Sequence, residues 1–365
     1  MEVKTRFSRR QFAKLGVAGI VALGVGGLFG CASGESVKSS ASSSSASATQ
    51  TITDLAGDTV EVPTKVETVA DFWHAHNQIV IMLGAASKLV STTASFKKMA
   101  WANVVFPGLK DVPANVDSDN NLNIEEILSL DPDVCFASNK DMVKTARDNG
   151  LVAVNVMFQN YENLRKNVQL TAQVLGDNAP DLAKSWESLL DENIEFVAHK
   201  MSSVSDADKV KVLHIVNGTN FLKIDGTDCI VDEWIKMAGG VNAIQKSGNM
   251  IEVSMEEIVA ANPDVIIIGS ANEKGVNELV ADPAWSGIAA VKNGAVYANP
   301  RGVFPWDRYS GEEALQVLWA AKKLNPDKFE DVDMVAKTQA FYKTFYDYSL
   351  TEDEANMILN CVDPA

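Results

Sequence analysis

Cysteine and histidine are scarce in this chain, four of each in 365 residues, and no two cysteines form a CxxC pair. With Cys31 set aside for the reason given below, Cys135, Cys229 and Cys361 are an odd and scattered set. That argues against a disulfide framework or a thiolate metal site. Basic residues are also in the minority, 32 Lys and Arg against 48 Asp and Glu, for a formal net charge of −16. An acidic body repels phosphate backbones and anionic lipid, which argues against nucleic acid as a partner. No apolar run reaches the roughly 20 residues of a spanning helix. Phosphate-binding glycine loops, GxSxG, HExxH and Ser/His/Asp spacings are all missing, so no catalytic constellation can be assembled and the chain is not expected to be an enzyme.

What is present begins with an address. Ser8-Arg9-Arg10-Gln11-Phe12-Ala13-Lys14 precedes an apolar run, Leu15 to Gly30, that carries six glycines and ends in Leu28-Phe29-Gly30-Cys31. Residues 1–31 resemble a twin-arginine export signal joined to a lipobox. The resemblance implies an exported protein in which Cys31 is acylated, held on the outer face of the cytoplasmic membrane and touching the membrane only through that lipid anchor. Residues 32–50 are Ser-rich and lack apolar side chains that could pack, so they are expected to be a disordered tether reaching about 25 Å.

Beyond the tether the pattern is α/β. A short hairpin around Gly57-Asp58 leads into alternating strand-like and helix-like segments, with strands expected at Val66 to Phe72, Leu89 to Thr93, Val134 to Ala137 and Val152 to Val156. Residues 51–160 therefore read as one lobe with a mostly parallel sheet and flanking helices. A second series, 209–325, opens with Lys209-Val210-Lys211-Val212-Leu213-His214-Ile215-Val216 and includes Val265 to Ile268 and Ala295 to Ala298. Between the lobes, residues 161–208 form a helical connector, dominated by a helix from Pro180 to about Val204 that spans roughly 36 Å. Residues 326–365 read as a C-terminal helical extension.

The two lobes echo each other. Ile124-Glu125-Glu126-Ile127-Leu128-Ser129-Leu130-Asp131-Pro132-Asp133-Val134 recurs 131 residues later as Met255-Glu256-Glu257-Ile258-Val259-Ala260-Ala261-Asn262-Pro263-Asp264-Val265, each reading as helix, Pro-Asp turn and strand. These segments, the Thr53–Ala70 hairpin region, an Ala238 to Ala243 turn and the long middle helix resemble the helical-backbone (class III) periplasmic solute-binding proteins of ABC importers. The resemblance covers roughly residues 51 to 324. It implies two Rossmann-like lobes joined by one long rigid helix, closing on a metal chelate such as a ferric siderophore, haem or cobalamin. A nickel chelate or an oxyanion such as molybdate fits the family as well. The partner implied is a permease dimer with its ATPase, and the bound chelate of iron or cobalt is cargo, so no resident cofactor is expected.

In open α/β sheets ligands sit beyond the carboxyl ends of strands. That rule selects Trp73, His74 and His76 after the first strand, Phe96 and Lys97 after the second, Ser138 and Asn139 after the third, and Phe158 after the fourth. In the second lobe it selects Asn217, Asn220, Ser270 and the stretch Arg301 to Arg308. His74 and His76 could ligate a metal through neutral ring nitrogens while Trp73 covers a flat macrocycle, or both could be surface or capping residues. Arg301, Trp306 and Arg308 could offer guanidinium forks and a stacking surface to an anionic chelate, or they could be an ion pair and core. The resemblance implies that one glutamate per lobe, Glu125 and Glu256, docks on permease arginines. Both also suit a helix first turn, and Glu126 and Glu257 compete with them for the role. His214, inside an apolar run, reads as a strand residue. Two other classes stay open: an exported redox or hydrolytic enzyme, which the signal type and the paired histidines allow, and an adhesin with a dead cleft.

Overall fold

A computed structural model describes residues 48–364. The export signal, Cys31 and most of the tether lie outside the described residues. The chain opens with an antiparallel hairpin, β1 (Thr49–Thr53) and β2 (Thr59–Pro63). The first lobe follows with β3 (Val69–Asp71), α1 (Asn77–Met82), β4 (Leu89–Thr93), α2 (Ala100–Val105), β5 (Ala114–Val116), α3 (Ile124–Leu130), β6 (Val134–Ala137), α4 (Lys140–Asp148) and β7 (Ala153–Asn155). Its five strands run in the order β5-β4-β3-β6-β7 and every pairing is parallel. The order reverses at β3, so the loops after β3 and β6 flank the switch point at which such sheets open a crevice.

Two helices link the lobes, α5 (Tyr161–Leu175) and α6 (Ala179–Met201). The second lobe contains β8 (Val210–Ile215), β9 (Lys223–Asp225), α7 (Ile230–Met237), β10 (Gly240–Asn242), β11 (Ile251–Glu252), α8 (Met255–Ala261), β12 (Val265–Ile268), α9 (Glu273–Ala281), α10 (Ala289–Lys292) and β13 (Val296–Ala298). It closes with α11 (Glu313–Leu324), α12 (Met334–Phe345) and α13 (Glu352–Leu359). Strand β8 pairs parallel with β12 and β10 and antiparallel with β9. The fold is thus the mixed α/β, two-lobe architecture expected, with corrections in detail. The Ala238 to Ala243 segment is not a simple turn, because Gly240–Asn242 adds a strand beside β8. The first strand covers only Val69–Asp71 of the expected seven residues. The connector helix is not a lone strut either: α6 packs on α5 along one side and on α11 along the other.

The repeat is a structural one. In both copies the helix ends on a left-handed residue, Asp131 (φ 46°) or Asn262 (φ 42°), that turns the chain into Pro-Asp. Asp and Asn tolerate this backbone better than other side chains. The aspartate then clamps the start of the central strand. Asp133 accepts the backbone N–H groups of Glu67 and Thr68 at 2.8 and 3.0 Å, and Asp264 accepts that of Lys211 at 2.9 Å. One apolar core runs from Phe136 and Val154 through Trp186 and Leu190 of α6 to Leu315 and Leu318 of α11. Among the described residues no helix is long and apolar enough to cross a membrane.

Candidate functional site at the junction of the lobes

The loops at the carboxyl ends of the two sheets meet through aromatic rings. Trp73, just after β3, contacts Phe158, just after β7, with ring centroids 5.3 Å apart. Both touch Tyr309 from the second lobe, at 5.5 and 5.7 Å. Beside them His74 lies against Phe304 at 5.7 Å. Tyr309 holds a left-handed backbone (φ 58°), uncommon for a bulky side chain, and its hydroxyl accepts a hydrogen bond from Asn249 Nδ2 at 3.0 Å.

The two histidines separate completely. His76 is fully buried and both ring nitrogens are engaged, Nδ1 with Asp71 Oδ2 at 2.7 Å and Nε2 with the Thr171 hydroxyl at 2.9 Å. A carboxylate can only accept, so Nδ1 donates and Nε2 takes the hydroxyl proton. His76 thus holds structure here, joining Asp71 to Thr171, and offers no free ring nitrogen among the described residues. His74 is part-buried and hydrogen-bonds to nothing among the described residues. Burial lowers its pKa below the usual imidazole value, against a weaker opposing pull from Asp71, so the ring is neutral near pH 7.

Three further candidates are buried. Phe96 and Trp306 have no exposed surface and belong to the apolar core, so neither faces a ligand. Arg308 is also buried, and four of its five N–H donors are taken. Nε donates to Asp307 Oδ2 at 3.0 Å, Nη1 to Asp225 Oδ1 and Asn249 Oδ1 at 3.2 and 3.3 Å, and Nη2 to Asp225 Oδ2. Burial opposes the charges of Arg308 and Asp225 alike. The mutual attraction wins: Asp307 and Asp225 hold the arginine above its usual pKa, while His214 and Arg308 hold Asp225 well below the carboxylate range. His214 completes the cluster, with Nδ1 2.8 Å from Asp225 and Nε2 3.4 Å from Asp307.

The remaining polar candidates serve local structure. Arg301 pairs with Asp363 at 2.8 Å, and Lys97 donates to the carbonyls of Lys110 and Val112. Asn139 caps α4 by accepting Met142 N–H at 2.7 Å, and Asn217 closes its own turn onto Thr219 and Asn220. Ser138 is part-buried and Ser270 exposed, both at strand ends.

Residues that sequence reasoning passed over hold the second-lobe wall in place. Tyr342 of α12 donates its hydroxyl to Glu312 Oε1 at 2.6 Å and accepts Val303 N–H at 3.0 Å, while Glu312 Oε2 accepts Phe304 N–H at 2.9 Å. A side chain at Gly302 would collide with both Tyr342 and Glu312, which is why glycine stands there. In the sequence, Phe341-Tyr342 and Phe345-Tyr346 repeat at i, i+4, a pattern of amphipathic packing that carries no sign of support for the 301–309 loop.

In the first turns of α3 and α8, Glu125 and Glu256 are exposed and make no ion pair among the described residues. Glu126 is exposed as well. Glu257 is engaged: it forms a capping box with Ser254 and pairs with Lys246.

The periplasmic binding protein family matches residues 74–301. The molybdate-binding protein MolA of Haemophilus influenzae is 27% identical over 341 residues, covering 85% of this chain and 95% of that protein. A periplasmic solute-binding protein from Veillonella parvula superposes with a TM-score of 0.75 at 28% identity, over 86% of this chain and 97% of that one. Helicobacter pylori CeuE with Ni(II) bound superposes with a TM-score of 0.69 at 21% identity, over 85% and 99% of the respective chains, a likeness of fold.

Proposed function

The chain belongs to the periplasmic binding protein family, and from that premise we propose that it captures a transition-metal chelate between its lobes and delivers it to an ABC importer. The solute-binding role within an ABC transporter is the family's own, and it places the protein outside the cytoplasm. The metal chelate is our reading. It rests on one observation, the His74 imidazole: neutral, without a hydrogen bond among the described residues, and packed on Phe304 beside the Trp73, Phe158 and Tyr309 rings where the lobes meet. A neutral imidazole ligates iron, cobalt or nickel, and aromatic faces cover the organic part of a chelate. Iron siderophores, haem and cobalamin fit this description, as does a nickel chelate; a nickel-bound protein is among the structures of the same fold.

In the same reading Cys31 carries the lipid anchor and the exposed Glu125 and Glu256, one per lobe, meet basic residues of a permease dimer. Visible absorption and metal analysis of the protein as purified, followed by thermal-shift titration with haem, cobalamin, ferric siderophores and nickel chelates, test the cargo. Binding raises the melting temperature by mass action. His74→Ala is expected to abolish that rise and leave the unliganded melting temperature in place. Stabilisation by none of these chelates, or stabilisation indifferent to His74, would overturn the reading.

A further inference from the structure

Arg308 is the cationic side chain immediately behind the ring cluster, linked to it through Asn249, which accepts from Arg308 on one side and donates to Tyr309 on the other. It is flanked by two carboxylates. Asp225 takes both terminal nitrogens and Asp307 takes Nε. Both acids are buried, and His214 faces them as well, with Nδ1 2.8 Å from Asp225 and Nε2 3.4 Å from Asp307, so the guanidinium is compensated within a closed buried cluster. Arg301, the other guanidinium of the 301–309 loop, is paired with Asp363. A ligand entering this junction therefore meets no uncommitted guanidinium.

We propose that Asp225 and Asp307 are specificity-determining residues: by compensating Arg308 they deny the junction a free anion-binding fork, and they turn away tetrahedral oxyanions such as molybdate and tungstate. The proposal deepens the chelate reading by naming what the site rejects. A dianion competing for Arg308 would strand a buried acid without its partner, which is costly. Neutral chelates, held by an imidazole and by ring faces, escape this filter. The same cluster also places a handle within reach of one substitution. Removing the charge of Asp307 takes one of the two carboxylates off Arg308, so the guanidinium is less compensated and can be shared with a small anion.

The test is calorimetric titration of the full chain with sodium molybdate and tungstate, alongside Asp307→Asn and Asp225→Asn. The wild type is expected to show no saturable oxyanion binding below about 1 mM, and at least one acid variant a gain of roughly tenfold or more. Adding Arg308→Gln to that variant should cancel the gain. Asp331→Asn, which removes an exposed carboxylate paired with Lys200, controls for net charge and should gain nothing. Saturable molybdate binding by the wild type that Arg308→Gln abolishes would overturn the proposal, and this arm reads out even where an acid variant fails to fold. Folded acid variants without any gain would also overturn it. If an acid variant gains molybdate while the wild type takes no chelate, the filter stands and the chelate reading falls.

Discussion

Asp71 and His214 stand at the same point of the two central strands. Asp71 is opposite Phe136 in β6 and His214 is opposite Ile267 in β12, and Phe136 and Ile267 are separated by the repeat spacing of 131 residues. Each builds a buried imidazole–carboxylate pair with the roles exchanged. Asp71 takes its imidazole from His76, five residues on, and His214 takes its carboxylate from Asp225 on the neighbouring strand. In the first lobe the pair is closed off by Thr171. In the second lobe it stays connected to Arg308 and Asp307, next to the rings. Duplication has kept the place and changed its use.

The first lobe's pair predicts a division between stability and binding. His76→Ala leaves Asp71 Oδ2 and the Thr171 hydroxyl buried without their partner, a loss of about 3 kcal/mol. His74→Ala removes a ring that bonds to nothing and should cost well under 1 kcal/mol. Urea unfolding of the two variants, together with chelate titration of whatever remains folded, should show stability lost in one and affinity lost in the other. Equal stability losses would contradict the assignment.

This contrast also marks where sequence reasoning stops. His74 and His76 are two positions apart, and nothing local says which one turns inward. The answer lies with Thr171, 95 residues away. Arg308 is the same case, because its compensation comes from Asp225, 83 residues earlier on another strand. The repeat was legible because helix, left-handed cap, Pro-Asp turn and strand are all local chemistry. So were β4 and β6, read at their observed limits. Strands β5 and β10 were not, since Ala114-Asn115-Val116 and Gly240-Val241-Asn242 each carry a single β-branched residue and no apolar run marks them. Glu312 and Tyr342 were passed over for a related reason: a tyrosine in an aromatic stripe looks like packing until its hydroxyl is seen to hold the 301–309 loop.

Glu312 predicts a slope of stability with pH. Its burial pushes the carboxyl up to about 7, against hydrogen bonds from Tyr342 and the Phe304 backbone. A folded pKa above the unfolded value of about 4.5 means the folded protein binds the extra proton. Stability from this group is therefore full below about 4.5, falls as pH rises toward 7, and is flat beyond, a change of about 3 kcal/mol. Glu313, also fully buried and raised, pulls in the same direction. Urea midpoints measured at pH 5 and pH 8 should differ less in Glu312→Gln than in the wild type, and least when Glu313→Gln is added. Parallel pH profiles would refute it.

Tyr342 should matter more than its neighbour Tyr346. Tyr342→Phe removes the hydroxyl shared by Glu312 and Val303 N–H, leaving a buried acceptor and a buried donor unmet, for a loss of about 1–3 kcal/mol. The hydroxyl of Tyr346 makes only a 3.4 Å contact with Gln78, so Tyr346→Phe should cost a few tenths of that. Because Tyr342 fixes the loop carrying Phe304 and Tyr309, chelate affinity should fall in the first variant and hold in the second. Thermal melts and titrations of both distinguish a loop support from ordinary packing.

The outer face offers a choice between adjacent glutamates, and the capping geometry decides it. In α8, Glu257 bonds back to Ser254 N–H and pairs with Lys246, so its carboxylate is committed to the helix start. Glu256 is exposed and makes no ion pair among the described residues, and Glu125 is its counterpart in α3 by the repeat. Docking should therefore run through Glu125 and Glu256. Reversing either charge to Lys should leave chelate affinity and melting temperature unchanged and reduce uptake in vesicles containing the permease and its ATPase. The double reversal should reduce uptake most, since a two-fold partner is gripped at both ends. Glu257→Ala should do the opposite, costing about 1 kcal/mol of stability through the lost cap while sparing uptake. Were uptake to fail with Glu257→Ala and survive Glu256→Lys, the committed carboxylate would be the docking one, and the capping box would have to open when the importer binds.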